Sequence, residues 1–114
     1  MQPDTCRLSI VVPFFNEQEN VDALHAQIVL SLSGIDPSGA TWEIIYVDDG
    51  STDATSERLL AVRASLPERV SVIRLRRNFG QTAAIAAGFK HSRGDVIVTL
   101  DGDLQNDPAD IPRL

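Results

Sequence analysis

The apolar positions of this chain switch between two periods. Leu8 to Val12 is a β-rich run that Pro13 should close, since proline cannot donate to a sheet ladder. Asn16 is then placed to cap a helix in which Val21, Leu24, Ile28 and Leu32 recur at helical spacing, with Gly34 at its end. Ile35 to Ala40 reads as turn. Glu43 to Val47 predicts a second strand, cut off by Asp48-Asp49-Gly50-Ser51. A helix carrying Leu59, Leu60 and Val62 follows Thr52 or Asp53. Val70 to Leu75 predicts a third strand. A helix over about Gln81 to His91 comes next, with Gly94 as its stop. Val96 to Leu100 predicts a fourth strand, a short β-branched run of the kind covered on both faces.

The resulting β-α-β-α-β-α-β order predicts an α/β fold: an open, mainly parallel sheet with helices on both faces. In the third strand Val72, Arg74 and Arg76 alternate with Ile73 and Leu75, a half-exposed pattern that belongs at a sheet edge. That placement gives the strand order 3-2-1-4, with a reversal between strands one and four. Open α/β sheets bind ligands outside the carboxyl ends of the strands at such a reversal.

Composition narrows the partners. The chain has 114 residues, read as one domain over 1–114, with 43% hydrophobic and 23% charged residues, ordinary for a globular domain. A formal charge of −6 argues against nucleic acid, which requires a basic footprint. Cys6 is the single cysteine, so neither an internal disulfide nor a cysteine metal cluster is expected. The opening Met-Gln-Pro-Asp lacks a signal-peptide layout. No apolar run approaches the ~20 residues that cross a bilayer. The expectation is a cytoplasmic protein, or one at the cytoplasmic face of a membrane through downstream segments. Pro108 and Pro112 set up a helix start shortly before Leu114. From this the chain is expected to be cut short, with exposed apolar surface that could drive homo-oligomer formation.

The candidate chemistry lies where the fourth strand stops being hydrophobic, at Asp101-Gly102-Asp103-Leu104-Gln105. Two carboxylates about 4 Å apart repel by roughly 4 kcal/mol at an effective dielectric near 20. A divalent cation with oxygen ligands offsets that repulsion; a pair of solvated loop aspartates is the plainer alternative. An acidic protein that handles a phosphorylated substrate needs such a cation as a bridge. Strand one ends in Pro13-Phe14-Phe15-Asn16-Glu17 and strand two in Asp48-Asp49-Gly50-Ser51, so the acids gather at one edge of the sheet. Within that group Asp48 reads as a turn residue bonding the backbone N–H groups of Gly50-Ser51. Arg74 and Arg76 read as edge solubilisers. Arg77 and the helix start at Gly80-Gln81 could instead face phosphate. His25 and His91 read as surface or boundary residues, and Trp42 as packing.

Four segments in this order resemble the family 2 glycosyltransferases. They are Ser9-Ile10-Val11-Val12-Pro13-Phe14-Phe15-Asn16-Glu17, Tyr46-Val47-Asp48-Asp49-Gly50-Ser51-Thr52-Asp53, Arg77-Asn78-Phe79-Gly80-Gln81 running into Ala83 to Phe89, and Leu100 to Gln105. The third looks closest to the branch that glycosylates polyprenyl or dolichyl phosphate. The resemblance implies the nucleotide-diphospho-sugar transferase (GT-A, Rossmann-like) fold and an inverting transfer from a UDP- or GDP-linked sugar to a lipid phosphate. Only the donor-binding part would be present, inactive alone without the acceptor-binding half.

The resemblance also implies roles. Pro13, Phe15, Glu17 and Val47 would line the nucleoside pocket, Phe15 standing where relatives often carry tyrosine. Asp49 would accept a hydrogen bond from the base, and Gly102 would lie against the donor. Asp101, Asp103 and Gln105 would gather around Mg²⁺ or Mn²⁺ on the donor diphosphate, with Asp101 and Asp103 as the catalytic pair. Two other readings share the motif. An apolar strand followed by Asp101 and Asp103 is similar to the haloacid-dehalogenase phosphatases, with Asp101 as nucleophile, although those place the motif on the first strand. A non-catalytic nucleotide-binding module would keep the fold without transfer.

Overall fold

The computed structural model describes residues 6–100. They form β1 (Leu8–Phe14), α1 (Val21–Ile35), β2 (Trp42–Asp48), α2 (Thr55–Ser65), β3 (Val70–Arg74), α3 (Gln81–His91) and β4 (Val96–Thr99). The sheet order is β3-β2-β1-β4 and every pairing is parallel, as the alternating pattern and the arginine-bearing third strand predict. Asp101, Gly102, Asp103 and Gln105 lie outside the described residues.

Strand alternation sorts the core into two layers. Ile10, Val12 and Phe14 of β1 and Trp42, Ile44 and Tyr46 of β2 pack with Val21, Leu24, Ile28 and Leu32 of α1 and Leu59 and Val62 of α2. Val11, Ile45 and Val47 face the other way, onto Ala84 of α3. The crossing there is close: a side chain at Gly88 would run into Val11. Leu60 is 52% exposed, because its neighbour Leu59 holds the inward position on α2.

Four local expectations change. Pro13 does not close β1, which continues through it to Phe14, with Pro13 opposite Val47. The carbonyls of Arg7 and Val11 accept from Val96 and Leu100, whereas that of Phe14 accepts from Asp49. Odd-numbered residues of β1 therefore bond toward β4, so Pro13's missing donor leaves the β1–β2 ladder intact. Asn16 does not cap α1, which begins at Val21 after Asn20. β4 is covered only in part: Ile97 and Val98 pack against the layers on opposite faces, whereas Val96 is 54% exposed. α1 also runs one residue past Gly34, to Ile35. Asp36 then accepts from the backbone and hydroxyl groups of Ser38 and Thr41, which hold its carboxyl down at about 2.

Two buried polar contacts fix the layers. At the amino end of the sheet, Glu43 (4% exposed) accepts from Ser9 Oγ at 2.6 Å, Arg93 N at 2.6 Å and Arg93 Nε at 3.2 Å. Gly94 N donates to Ser9 Oγ at 2.9 Å, and a side chain at Gly94 would meet Ser9 Oγ and the Leu8 backbone at 2.7–2.8 Å. Cys6 is buried nearby; its burial, then the Glu43 charge, pushes the thiol up, so it packs as a small apolar group. Under α1, Tyr46 and His25 share a 2.6 Å hydrogen bond between the hydroxyl and Nδ1. Burial lowers the His25 imidazole and raises the Tyr46 hydroxyl, so the bond joins two neutral groups near neutral pH.

Glu43→Ala strands the Ser9 hydroxyl and the Arg93 N–H, and chemical denaturation is expected to show a loss of about 2–3 kcal/mol. The lowered His25 means the unfolded chain takes up the proton first. Stability is therefore expected to fall as pH drops below 6.5, the ordinary value, and His25→Gln flattens that slope in denaturation series at several pH values.

Candidate functional site at the carboxyl rim

Two loops interlock where β1 and β2 end. Asn16 adopts the left-handed conformation (φ 51), which asparagine tolerates. Its N–H donates to Ser51 Oγ at 2.9 Å, and its Oδ1 accepts from Thr52 N at 2.8 Å. Glu17 N donates to Thr55 Oγ1 at 3.0 Å, Gln18 N to Asp53 Oδ2 at 3.4 Å, and Ala54 N to Gln18 Oε1 at 2.8 Å. Asp53 Oδ1 also accepts from Thr55 N at 2.9 Å and Thr55 Oγ1 at 2.5 Å, at the entry to α2. Burial alone would raise the Asp53 carboxyl, but the bonds from Thr55 and Gln18 outweigh it and hold it below its ordinary value. The two loops thus satisfy each other's backbone donors.

The neighbouring acids are occupied differently. Asp48 is fully buried; its Oδ1 accepts from Ser51 N at 3.0 Å, the turn bond expected of it. Its Oδ2 is buried without a hydrogen-bond partner among the described residues. Asp49, 3% exposed, accepts from Phe79 N at 2.8 Å through Oδ1 and from Gly80 N at 3.0 Å through Oδ2. Gly50 has φ 73, and a side chain on it would collide with the backbone of Arg77 and Asn78. Beyond it the Arg77 guanidinium lies 4.6 Å from the Phe79 ring centroid, a cation–π contact.

The anticipated site residues follow this geometry unevenly. Pro13 and Val47 are buried partners in the register, and Val47's side chain is sealed against Val11, Ile45 and Ala84. Phe15 is 43% exposed at the end of β1. Glu17 is half-buried, and its Oε2 accepts from Asn20 Nδ2 at 2.8 Å. Leu100, the last described residue, arrives at the same rim, its N–H bonded to Val11 O at 3.1 Å. Arg74 and Arg76 are exposed, and with Leu75 and the Gly50-Ser51-Thr52 turn they line an open hollow of about 450 Å³. Among the described residues no three His, Cys, Asp or Glu side chains cluster as metal ligands. No described helix is long and apolar enough to cross a membrane.

Sequence reasoning did not anticipate the hold of Asp49 on the segment after β3. Thirty residues separate Phe79 from Asp49, and no local pattern encodes such a contact. The Asp53-Ala54-Thr55 helix entry carries a local signal: aspartate commonly accepts from the backbone N–H two residues on in a turn.

The family model for glycosyl transferase family 2 matches residues 9–114. The chain belongs to that family. Curated relatives in the family include the undecaprenyl-phosphate 4-deoxy-4-formamido-L-arabinose transferases of Salmonella paratyphi B and Salmonella newport, each 44% identical over 108 residues. The match covers 95% of this chain and 32% of each relative, so the chain spans about a third of their length. Among solved structures, TarS from S. aureus in complex with UDP superposes with a TM-score of 0.69 at 26% identity, over 85% of this chain and 27% of that one. A mannosyltransferase from Pyrobaculum calidifontis, in complex with GDP-Man and Mn²⁺, gives 0.74 at 22% identity over the same shares, a likeness of fold. The fold is the GT-A glycosyltransferase fold, as the motif order implied.

Asp53→Ala removes the turn bonds to Thr55 at the entry to α2 and one strap between the two loops. Urea denaturation is expected to show a loss of about 1 kcal/mol.

Proposed function

We propose that this chain is the donor-binding part of an inverting family 2 glycosyltransferase that moves a sugar from a nucleoside diphosphate to a polyprenyl phosphate. The observation that carries the reading is 44% identity, over nearly the whole chain, to transferases named for undecaprenyl phosphate. The parallel sheet supports it, since the ends of β1 and β2 and the approach to Asp101 share one rim at the reversal between β1 and β4. The UDP complex of TarS supports a nucleotide-linked donor.

In this reading the nucleoside lies against the rim built by Pro13, Phe15, Glu17, Val47 and Asp49. Phe15 supplies an exposed apolar face, and Val47 acts from beneath as packing. The diphosphate extends toward Asp101, Gly102 and Asp103. Asp101, Asp103 and Gln105 would hold Mg²⁺ or Mn²⁺, since two carboxylates and an amide oxygen are the hard donors such ions take. When bound, the ion stabilises negative charge on the leaving diphosphate. A phosphate acceptor is already anionic near neutral pH, so its oxygen attacks the anomeric carbon without a strongly tuned base. Attack opposite the departing group inverts that carbon. The enzyme would work at the cytoplasmic face of a membrane, where a polyprenyl phosphate presents its head group.

The test is thermal melting of the full-length protein with UDP or GDP, with and without Mn²⁺. At a hundredfold excess over Kd a ligand adds about 2.7 kcal/mol, a shift of several degrees. One nucleotide is expected to raise the melting temperature only with Mn²⁺, and Asp103→Ala to abolish the rise. An equal shift in wild type and variant overturns the site assignment.

A further inference from the structure

Asp49 sits at the rim, yet it offers little surface to a ligand. It is 3% exposed, and each carboxylate oxygen already accepts a backbone N–H, from Phe79 at 2.8 Å and Gly80 at 3.0 Å. These donors precede α3, where a carboxylate also meets the favourable end of the helix dipole. The next residue enforces the same contact sterically. Gly50, at φ 73, leaves room for the Arg77 and Asn78 backbone that any side chain would displace. Two adjacent residues of the β2 turn thus fasten one loop, by hydrogen bonds and by fit.

The fastened loop carries groups suited to a nucleotide. Phe79 is 43% exposed with the Arg77 guanidinium over its ring, which sets a cation and an aromatic face together at the rim. Phe15, also 43% exposed, stands at the end of β1. We infer that Asp49 is a positioning residue: it mounts the Arg77–Gly80 loop as one wall of the nucleotide pocket, and a nucleoside diphosphate binds against that wall. This rests on the donor-binding reading and changes the route by which Asp49 serves it. A direct bond from Asp49 to a base N–H would select one base. A mount made of backbone bonds affects every nucleotide the pocket accepts.

The experiment uses the full-length protein with Mn²⁺ and either UDP or GDP. Hydrogen exchange is followed over residues 76–84, and nucleotide affinity is measured by calorimetry. Asp49→Ala is expected to speed exchange of this segment at least about tenfold without nucleotide and to weaken binding about tenfold, the scale of losing charge-assisted hydrogen bonds. Phe79→Pro leaves Asp49 in place but deletes the N–H it holds, and is expected to weaken binding comparably. Phe79→Ala keeps that N–H and is expected to weaken binding less than Phe79→Pro. Exchange unchanged in Asp49→Ala overturns the proposal. So does wild-type affinity in Phe79→Pro beside a weakened Asp49→Ala, the result a direct base contact gives. Failure of the wild type to bind either nucleotide overturns the donor reading and this role with it, whereas normal wild-type binding with either of the first two results overturns this role alone.

Discussion

The pairing of β1 on both sides governs this molecule. Because β2 and β4 both run parallel to it, the carboxyl ends of three neighbouring strands come out at one edge of the sheet. Parallel strands demand crossover helices, and these distribute over the two faces, α1 and α2 on one and α3 on the other. The strand itself must then be apolar on both sides. Ile10, Val12 and Phe14 face one layer and Val11 the other, all at 0–1% exposure. Chemistry is confined to the strand ends, where hydrophobic alternation stops.

The carboxyl rim is stiff because its loops use each other as hydrogen-bond partners. Asn16 and Gln18 reach from the β1 turn to the β2 turn, Ser51, Asp53 and Thr55 reach back, and Asp49 extends the lacing to the segment before α3. Loops usually leave their backbone groups to water. Here the donors are satisfied internally, so the positions of Phe15, Glu17 and Phe79 derive from the scaffold, as a preorganised binding surface requires.

The fold was legible because each of its signals is local. Helical recurrence of Val21, Leu24, Ile28 and Leu32, and the arginine-studded alternation of β3, needed no knowledge of distant partners. Family membership was legible for a similar reason, since four short motifs in fixed order carry it. Illegible were the features set by contacts across tens of residues. Asn16 looked like a cap but bonds Thr52, 36 residues away. Pro13 looked like a stop, yet β1 runs through it, because its missing N–H lies on the side away from β2. Glu43 read only as the start of the second strand and proved to be a buried hub, because its donors come from Ser9 and Arg93.

That hub has a consequence for synthesis. Its bonds join residues 34, 50 and 85 positions apart, and β1, made first, gains its second neighbour only when β4 emerges. At about 5–20 residues per second a ribosome needs several seconds to travel from Ser9 to Gly94. Throughout that interval the most water-averse strand of the sheet has at least one open side. Until Gly94 and β4 are made, Ser9 and Glu43 lack their later partners, and such unpaired edges are what make incomplete chains prone to misassociation.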